Sequence, residues 1–364
     1  MTETFQLSRR HMLQLGAAAG VMAGSSTLGV TRLLAAGSEK VKIIHASPAT
    51  LLVWSISYLA EDMGYYKEEG LAVERLGLGG GPAAMTALLA GEGTMNVSAP
   101  GECLAANARG QRIKIIQAYT RSDPYTISVT KAFADANGIT AASPREQREK
   151  ALTAMKGKRI GITAPGSNTD LVVRMALQQV GLDPTSDVTI VPAGSIVNIM
   201  SALSQGGLDG GALLAPFTEQ AGVEFEAVPL LAIAAGEIPQ AGRLQGQVLE
   251  ARPEDLEAKR DLFAAFIRAD LRALKFLQED PDGARAKLRQ TRFPKIADAI
   301  WPDVWASALP IFASPYVARD SIQAWLETGT IGGNPDPNTF PYDEIIDMSL
   351  VDEGLQKLGW SPKS

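Results

Sequence analysis

The segment from residue 156 to residue 177, KGKRIGITAPGSNTDLVVRMAL, constrains the fold more than any other part of the sequence. Its first half, residues 159–163, is a short run with β-branched residues that is typical of a buried parallel strand, and Pro165 and Gly166 end that strand. The polar residues 167–169 can then cap a helix whose apolar residues recur at helical spacing. The segment therefore predicts a strand, a tight turn and a helix.

A turn of this kind can bind a ligand. The first N–H groups of a helix have no partner within the helix, and the partial positive charge there favours a small anion or a carbonyl oxygen. Short polar side chains at residues 167–169 would add donors at the same place. An ordinary βα turn with a good cap is the alternative interpretation, and this segment alone does not decide between the two.

The composition indicates a globular protein and argues against nucleic acid as a partner. With 364 residues the chain exceeds one ordinary hydrophobic core, which predicts two compact units. The net charge is −6, and no basic block follows the N-terminal region. Two histidines and one cysteine are too few for the common zinc-binding patterns or for an internal disulfide. A metal site built from Asp and Glu stays open, although no EF-hand-like spacing appears; we predict no metal site and no cofactor.

The first 36 residues are typical of an export signal. Residues 8–14, SRRHMLQ, resemble the bacterial twin-arginine motif, and a weakly apolar stretch rich in Ala and Gly follows them. That stretch is short and interrupted by glycine, so it does not predict a membrane span. Small residues offer a cleavage site near Ala36. We predict a twin-arginine signal peptide over residues 1–36 and a periplasmic protein; an uncleaved anchor, or a chance Arg pair before an amphipathic helix, stays open.

Strands and helices alternate through the following two hundred residues or so, which predicts parallel α/β sheets. Two segments share one plan. Residues 85–91 and 200–206, MTALLAG and MSALSQG, each predict a helix and a Gly turn before a short strand that ends in Ala-Pro. This likeness predicts two lobes of the same design. From residue 247 onward a strand is followed mostly by helices, predicted at residues 259–277, 281–290, 296–312 and 321–327.

The chain resembles the periplasmic substrate-binding proteins of ABC importers, in the nitrate/sulfonate/taurine-type family. The segments that carry the resemblance are GYYKEEGLAV at 64–73, ALLAGE at 87–92, KGKRIG at 156–161, PGS at 165–167, GLDP at 181–184 and ALSQGGLD at 202–209. Two positions depart from the usual pattern: Thr94 stands near a position where Asp is common, and Gly210-Gly211 follows Asp209.

The resemblance implies the α/β fold of type II periplasmic binding proteins. That fold has two lobes, each a mainly parallel sheet flanked by helices, with two hinge crossings and a ligand cleft between the lobes. We assign residues 41–128 and 241–364 to lobe 1 and residues 132–238 to lobe 2.

Ligands of open parallel sheets bind beyond the carboxyl ends of the strands, where helix N-termini point. On this basis we predict no catalytic residues and a binding site that draws on the strand ends, namely Ser47, Trp54, Gly80, Gly81, Ser98, Pro100, Arg121, Ser167, Asn168, Thr169, Gly194 and Pro216. Trp54 could form a flat wall for an aromatic or alkyl ligand, or simply pack a helix. Arg121 could bind a carboxylate or sulfonate through two parallel hydrogen bonds. Alternatively, it could be a surface residue or belong to a hinge.

The predicted function is that of a monomeric binding protein. It captures a small organic anion and delivers it to a membrane permease, which works with an ATPase subunit. The resemblance leaves the ligand open among sulfonates such as taurine, aromatic carboxylates or sulfonates, nitrate-like oxyanions and thiamine-precursor pyrimidines. A second possibility is that the binding protein serves a sensor instead of a transporter. The alternative is an enzyme on the same scaffold, either a pyrimidine-precursor synthase or a desulfinase-like hydrolase. His45 and Cys103 are the only histidine and cysteine after the predicted signal peptide, so such an enzyme would have few reactive side chains.

Overall fold

The computed structural model describes residues 38–122 and 124–363, and the predicted signal segment lies outside these residues. The strands are β1 (Glu39–His45), β2 (Leu71–Gly77), β3 (Met95–Ser98), β4 (Lys114–Ala118), β5 (Thr126–Val129), β6 (Arg159–Ile162), β7 (Thr189–Pro192), β8 (Gly210–Leu213), β9 (Val228–Ala232) and β10 (Val248–Ala251).

The helices in the first half of the chain are α1 (Ser55–Asp62), α2 (Tyr65–Glu68), α3 (Gly81–Leu89), α4 (Pro100–Ala108), α5 (Lys131–Ala136), α6 (Arg145–Leu152) and α7 (Asn168–Gln179). The later helices are α8 (Ile196–Ser204), α9 (Phe217–Phe225), α10 (Pro239–Gly242), α11 (Pro253–Ala258), α12 (Arg260–Glu279), α13 (Pro281–Thr291), α14 (Trp301–Ala308), α15 (Arg319–Glu327), α16 (Tyr342–Ile345) and α17 (Ser349–Leu358). In the described part of the chain, no helix is both long enough and apolar enough to cross a membrane.

The strands of the described residues form two five-stranded sheets with the same plan. The first has the order β2-β1-β3-β10-β4 and the second the order β7-β6-β8-β5-β9. In the first sheet only β10 runs antiparallel to its neighbours, and in the second only β5 does. Each of these strands is the first after the chain passes from one sheet to the other. Both sheets are therefore mainly parallel, with one reversed strand each.

Glycine residues let helix α8 lie directly on the second sheet. A Cβ atom added at Gly211 would come within 2.5 Å of the Ile199 Cγ2 atom, and one added at Gly161 within 2.5 Å of the Leu208 Cδ1 atom. A larger residue at Gly211 would push α8 away from β8, and one at Gly161 would displace Leu208, which follows α8 in the chain. The Gly210-Gly211 pair, noted in the sequence as a departure, is thus explained by close packing.

Several elements differ from the sequence-based expectation. Strands β5 and β9 were not predicted, and β5 pairs in the second sheet although the predicted lobe 1 runs to residue 128. The helix predicted over residues 296–312 is shorter, since α14 begins at Trp301 and a 3₁₀ turn follows it. Helix α17 was also missed. The assignment of residues to lobes stays a prediction.

A hydrogen-bonded pair of crossings joins the two sheets. The backbone N–H groups of Tyr119 and Thr120, after β4, donate to the Gln247 carbonyl oxygen at 2.8 and 3.2 Å. The Gln247 N–H group donates in turn to the Thr120 hydroxyl at 2.8 Å. Gly246 is required here, because a Cβ atom at this position would lie 2.6 Å from the backbone of Ser122. The two crossings thus hold each other at the hinge.

A buried carboxyl group anchors the first crossing to the helices of the first sheet. Asp270 of α12 accepts hydrogen bonds from the hydroxyl groups of Tyr66 and Tyr119, and all three side chains are almost completely buried. Burial raises the pKa of Asp270 to about 7, although both hydrogen bonds and the charge of Arg75 lower it. The cluster fixes the start of the crossing against α2 and α12.

Candidate functional site

A small cavity of about 40 Å³ lies between the carboxyl ends of the two sets of strands. The predicted residues that line it are Ser47, Trp54, Gly80, Gly81, Ser167, Asn168 and Thr169. Ser47 follows β1, the two glycines precede or begin α3 after β2, and residues 167–169 begin α7 after β6. The geometry therefore brings seven of the twelve predicted residues to one place.

The other five predicted residues do not line this cavity. Ser98 is fully buried and donates to the Glu250 carboxylate at 3.1 Å. Pro100 is the first residue of α4, and Pro216 precedes α9 after a cis peptide bond. Arg121 is exposed, and its backbone N–H group donates to the Ile311 carbonyl at 2.8 Å.

Gly194, the last of the five, lies where the two lobes meet. A Cβ atom on Gly79 would be 3.1 Å from the Gly194 carbonyl oxygen, and one on Gly80 would be 3.5 Å from the Ala164 Cβ atom. The strand-end loops of the two sheets are thus in van der Waals contact. The structure represents a closed cleft, since ligand pockets usually measure about 300 Å³ or more.

At the start of α7 the hydroxyl groups bond to one another. Ser167 caps the helix, and its Oγ atom accepts from the Asp170 N–H group at 3.4 Å. The same atom lies 3.0 Å from the Thr163 Oγ1 atom and 2.8 Å from the Thr169 Oγ1 atom. A carboxylate also occupies this turn, because Asp170 accepts from the Gly166 N–H group at 2.9 Å. Asp170 in turn binds Arg174 at 2.7 Å. Helix capping therefore accounts for much of the run of polar residues that the sequence places at the start of α7.

At the start of α3 a carboxylate stands where the sequence predicts a ligand oxygen. A Cβ atom placed on Gly81 would be 1.8 Å from the Glu102 Oε1 atom and 2.3 Å from its Cδ atom. The Glu102 side chain, which comes from the first turn of α4, is thus packed directly over the first residue of α3. Glu102 is 8% exposed and lines the cavity. A bound anion could occupy this position only if Glu102 moved away.

Trp54 lies on the apolar side of the cavity, and His45 packs against its ring without lining the cavity. Their ring centroids are 4.2 Å apart, and their side chains are 1% and 2% exposed. Burial, with the charge of Arg75 adding to it, lowers the pKa of His45 to about 3, so the imidazole is neutral at physiological pH. The indole N–H of Trp54 has no hydrogen-bond acceptor among the described residues. This side of the cavity offers a ring face, an N–H donor and no positive charge.

Sequence reasoning missed nine of the lining residues, and the polar ones among them are Glu102, Tyr125, Thr163 and Gln247. Tyr125 and Gln247 belong to the two crossings, so a hinge position was the signal that could have found them. Thr163 ends the predicted strand before the capped turn, which was also a usable signal. Nothing in the spacing of Glu102 predicts that its side chain reaches the neighbouring helix.

A wider groove of about 600 Å³ adjoins the cavity, and Glu102 and Ser167 line both. Its walls are helices α3 and α4 on one side and the start of α7 on the other, with residues 325–332 at one end. The charged side chains that line it are Glu102, Arg109, Asp170 and Arg174. Since Arg174 is bound to Asp170, Arg109 is the basic residue of the groove for which the described residues show no ion pair.

Cys103, a candidate for chemistry in the alternative enzyme interpretation, is a packing residue in this structure. It is fully buried on α4, and burial raises the pKa of its thiol well above the usual value. Among residues 38–122 and 124–363, no group of three or more His, Cys, Asp or Glu side chains is arranged to hold a metal ion.

Two mixed five-stranded sheets, joined by paired crossings and facing each other across a cleft, define the periplasmic binding protein fold. The model of the NMT1/THI5-like family matches residues 54–284, more than half of the sequence, and the chain belongs to this family. Solved structures support the same fold. The predicted fold class and family are therefore confirmed.

Three solved structures illustrate the likeness. A protein from Bordetella bronchiseptica superposes with a TM-score of 0.74 at 20% identity, covering 88% of this chain and 98% of that one. The periplasmic nitrate-binding protein NrtA from Synechocystis PCC 6803 gives 0.69 at 15% identity, with coverages of 88% and 89%. The alkanesulfonate-binding protein SsuA from Xanthomonas axonopodis pv. citri, bound to MOPS, gives 0.64 at 18%, with 86% and 100%. At these identities the likeness establishes the fold. No curated protein sequence matches this chain.

Proposed function

We propose that this protein is the solute-binding component of an ABC uptake system, and that it captures a small organic solute between its lobes and delivers it to a membrane permease and its ATPase subunit. The observation that carries the proposal is the cavity at the carboxyl ends of both sets of strands, lined by residues from both sheets. Family membership and the nitrate- and alkanesulfonate-binding proteins that share the fold support it.

The cavity and hinge suit a protein that opens and closes around its ligand. A void of about 40 Å³ is close to the volume of one water molecule, so a solute of several heavy atoms must enter a more open form. The paired crossings at Thr120 and Gln247 supply a place about which the lobes can rotate. Only the closed form lets both lobes touch the solute at once, so binding would shift the population toward closure.

The states of His45 and Cys103, the two side chains considered for the enzyme alternative, favour binding over catalysis. Both His45 and Cys103 are buried, the imidazole is neutral, and the raised pKa of Cys103 keeps its thiol protonated. A nucleophilic cysteine would need a lowered pKa and access to the substrate. The enzyme interpretation therefore gains no support from these residues.

The finer parts of the proposal follow the sequence. Residues 1–36 would direct export by the twin-arginine route to the periplasm, where the protein would act as a monomer. The sequence predicts a small organic anion as the solute, held by residues 167–169 from one lobe and by Gly80 and Gly81 from the other; Ser98, also predicted, is buried against Glu250 and does not line the cavity. The Glu102 side chain, which packs over Gly81, must move before a solute oxygen can reach the start of α3.

A thermal-shift screen of the purified protein tests the proposed function. The screen should include sulfonates, aromatic carboxylates, nitrate, amino acids, amines and heterocycles. A true ligand at about 100 times its dissociation constant should stabilise the protein by about 2.7 kcal/mol. If no small solute of any charge raises the melting temperature, the proposal is wrong.

A further inference from the structure

Resting on this proposed function, we infer that the indole N–H group of Trp54 donates a hydrogen bond to an oxygen acceptor of the bound solute. From the sequence, Trp54 is expected either to form a flat wall for an aromatic or alkyl ligand or to pack a helix. The inferred role is a different one, because it uses the edge of the indole that carries the N–H group. Trp54 would then select solutes by their acceptor atoms.

The first observation is that Trp54 lies beside the cavity at the end of the first strand. It is the last residue of the 3₁₀ turn Leu52–Trp54, which follows β1 and leads directly into α1. Its side chain is almost completely buried and lines the cavity together with Ser167 and Thr169 at the start of α7. A solute held at the start of α7 would therefore lie next to Trp54.

The second observation is that the buried N–H group of Trp54 has no hydrogen-bond acceptor among the described residues. The indole N–H can only donate, and it usually finds a partner when it is buried. Trp325 shows the usual arrangement, since its buried indole N–H group donates to the Gln245 carbonyl oxygen at 2.9 Å. An unpaired buried donor costs free energy, which an acceptor on the solute would recover.

The third observation is that one face of the Trp54 ring is already covered. The ring centroids of Trp54 and His45 are only 4.2 Å apart. Two rings that met edge to edge would have more distant centroids, so His45 packs over a face of the indole and closes that face to a solute. A solute in the cavity therefore meets the second face or the edge of the ring, and the unpaired donor is on the edge.

The neighbouring groups define the chemical class of the acceptor. Among the described residues, no Lys or Arg side chain lines the cavity, whereas Thr163, Ser167 and Thr169 do. Their hydroxyl oxygens lie 2.8 to 3.0 Å from one another. Each hydroxyl hydrogen can rotate toward a solute, so these groups can donate beside the indole. Donors without a formal charge suit carboxylate, sulfonate and carbonyl oxygens alike.

Trp54→Phe and Trp301→Phe form a matched pair for the test. Both changes remove a buried indole N–H group without an acceptor among the described residues, but Trp301 lies on α14 and does not line the cavity. The probes are methanesulfonate, benzenesulfonate, benzoate and benzamide, since each offers an oxygen acceptor and only the first lacks a ring. In calorimetry on the purified full chain, Trp54→Phe should weaken every probe that binds by roughly five- to 150-fold. Trp301→Phe should leave these affinities unchanged.

The probes also distinguish the edge of the indole from its face. If Trp54 acted as a flat wall, its replacement would weaken the three ring-bearing probes and leave methanesulfonate unaffected. Replacing Trp54 by β-(3-benzothienyl)alanine puts sulfur in place of the N–H group and keeps the shape of the rings. We expect this isostere to weaken binding as Trp54→Phe does, because the donor is lost in both.

Nuclear magnetic resonance of the unmodified protein tests the hydrogen bond directly. The chain has five tryptophans, so labelling with ¹⁵N-tryptophan gives five indole N–H signals. Saturation with the tightest-binding of the four probes should move the proton signal of Trp54 downfield and leave that of Trp301 in place. The two Phe variants assign these signals, each by the loss of one. If Trp54→Phe does not fold, a downfield shift of one indole signal still supports the inference.

The outcomes separate this inference from the proposed function. Three results would overturn the inference and leave solute binding intact: unchanged affinities in Trp54→Phe and the isostere, a loss confined to the ring-bearing probes, or a saturated protein in which no indole signal moves. The absence of binding by any of the four probes up to about 10 mM would also overturn it. Failure of every solute in the thermal-shift screen would count against the proposed function itself.

Discussion

Replacing Asp270 by Asn should change how the stability of the protein depends on pH. The buried Asp270 carboxyl accepts from two tyrosine hydroxyl groups, and burial raises its pKa from 3.8 to about 7. Between these two values the folded protein holds a proton that the unfolded chain has released. The contribution of Asp270 to the free energy of unfolding is therefore full below about pH 4 and is lost as the pH rises to about 7.

The expected magnitude follows from the shift. A change of about 3 pKa units at 1.36 kcal/mol per unit corresponds to about 4 kcal/mol. Asn has nearly the same shape as Asp and carries no titrating proton. The difference in free energy of unfolding between the unmodified protein and Asp270→Asn should therefore be about 4 kcal/mol larger near pH 4 than near pH 7.5.

His45 opposes this effect in the unmodified protein. Burial lowers the pKa of its imidazole from 6.5 to about 3, so its contribution to stability is lost as the pH falls through that interval. Between about pH 4 and pH 6.5 the two contributions have opposite slopes and largely cancel. The stability of the unmodified protein can therefore look flat there. Because His45 is present in both proteins, the difference between them isolates Asp270.

Urea unfolding followed by tryptophan fluorescence at several pH values provides the measurement. Asp320→Asn, an exposed aspartate on α15, is the matched control and should show a difference that does not vary with pH. The urea dependence of the unfolding free energy should be the same for all three proteins, so that two-state behaviour holds. A difference for Asp270→Asn that stays constant, or that grows as the pH rises, would refute the reasoning.

Three further predictions concern the cleft, the hinge and export. Asn168→Ala should remove about 1–3 kcal/mol of binding energy, or roughly five- to 150-fold in dissociation constant, measured by calorimetry with a solute from the screen; unchanged affinity would leave Asn168 a packing role only. Gly246→Ala should lower the free energy of unfolding by about 1–3 kcal/mol in urea titrations, because the new Cβ atom would be 2.6 Å from the backbone of Ser122 in the other crossing. Gly242→Ala is the control and should leave the free energy of unfolding unchanged, because there is open space around Gly242. Changing Arg9 and Arg10 together to Lys should abolish periplasmic accumulation, judged by cell fractionation, and normal accumulation would contradict the twin-arginine prediction.

Local sequence patterns predicted most of the strands and the turn at residues 165–169, because β-branched runs, Gly-Pro breaks and helix caps act over a few neighbouring residues. Strand β9 escaped because Pro229 argues against a strand, and it is tolerated since β9 is an edge strand. Strand β5, with the sequence TISV, has only four residues, and its partners β8 and β9 lie far away in the sequence.

The polarity of the site was harder to predict than its position. The rule that ligands bind beyond strand ends correctly predicted that Ser47, Gly80 and Asn168 lie close together, because parallel strands end at one edge of a sheet. The place of Glu102 depends on how α4 packs beside α3, which is tertiary information. Arg121 is exposed because the crossing directs its backbone toward Ile311 rather than toward the cleft.

The position of β10 between β3 and β4 has a consequence for the chain as the ribosome makes it. All strands of the second sheet lie between Thr126 and Ala232, so that sheet can form while β10 is still to be synthesised. Until β10 arrives, β3 and β4 each keep an unpaired edge, and such edges are templates for aggregation. Chains that stop before Val248 should therefore contain one complete sheet and one divided sheet, and they should depend on chaperones to stay in solution.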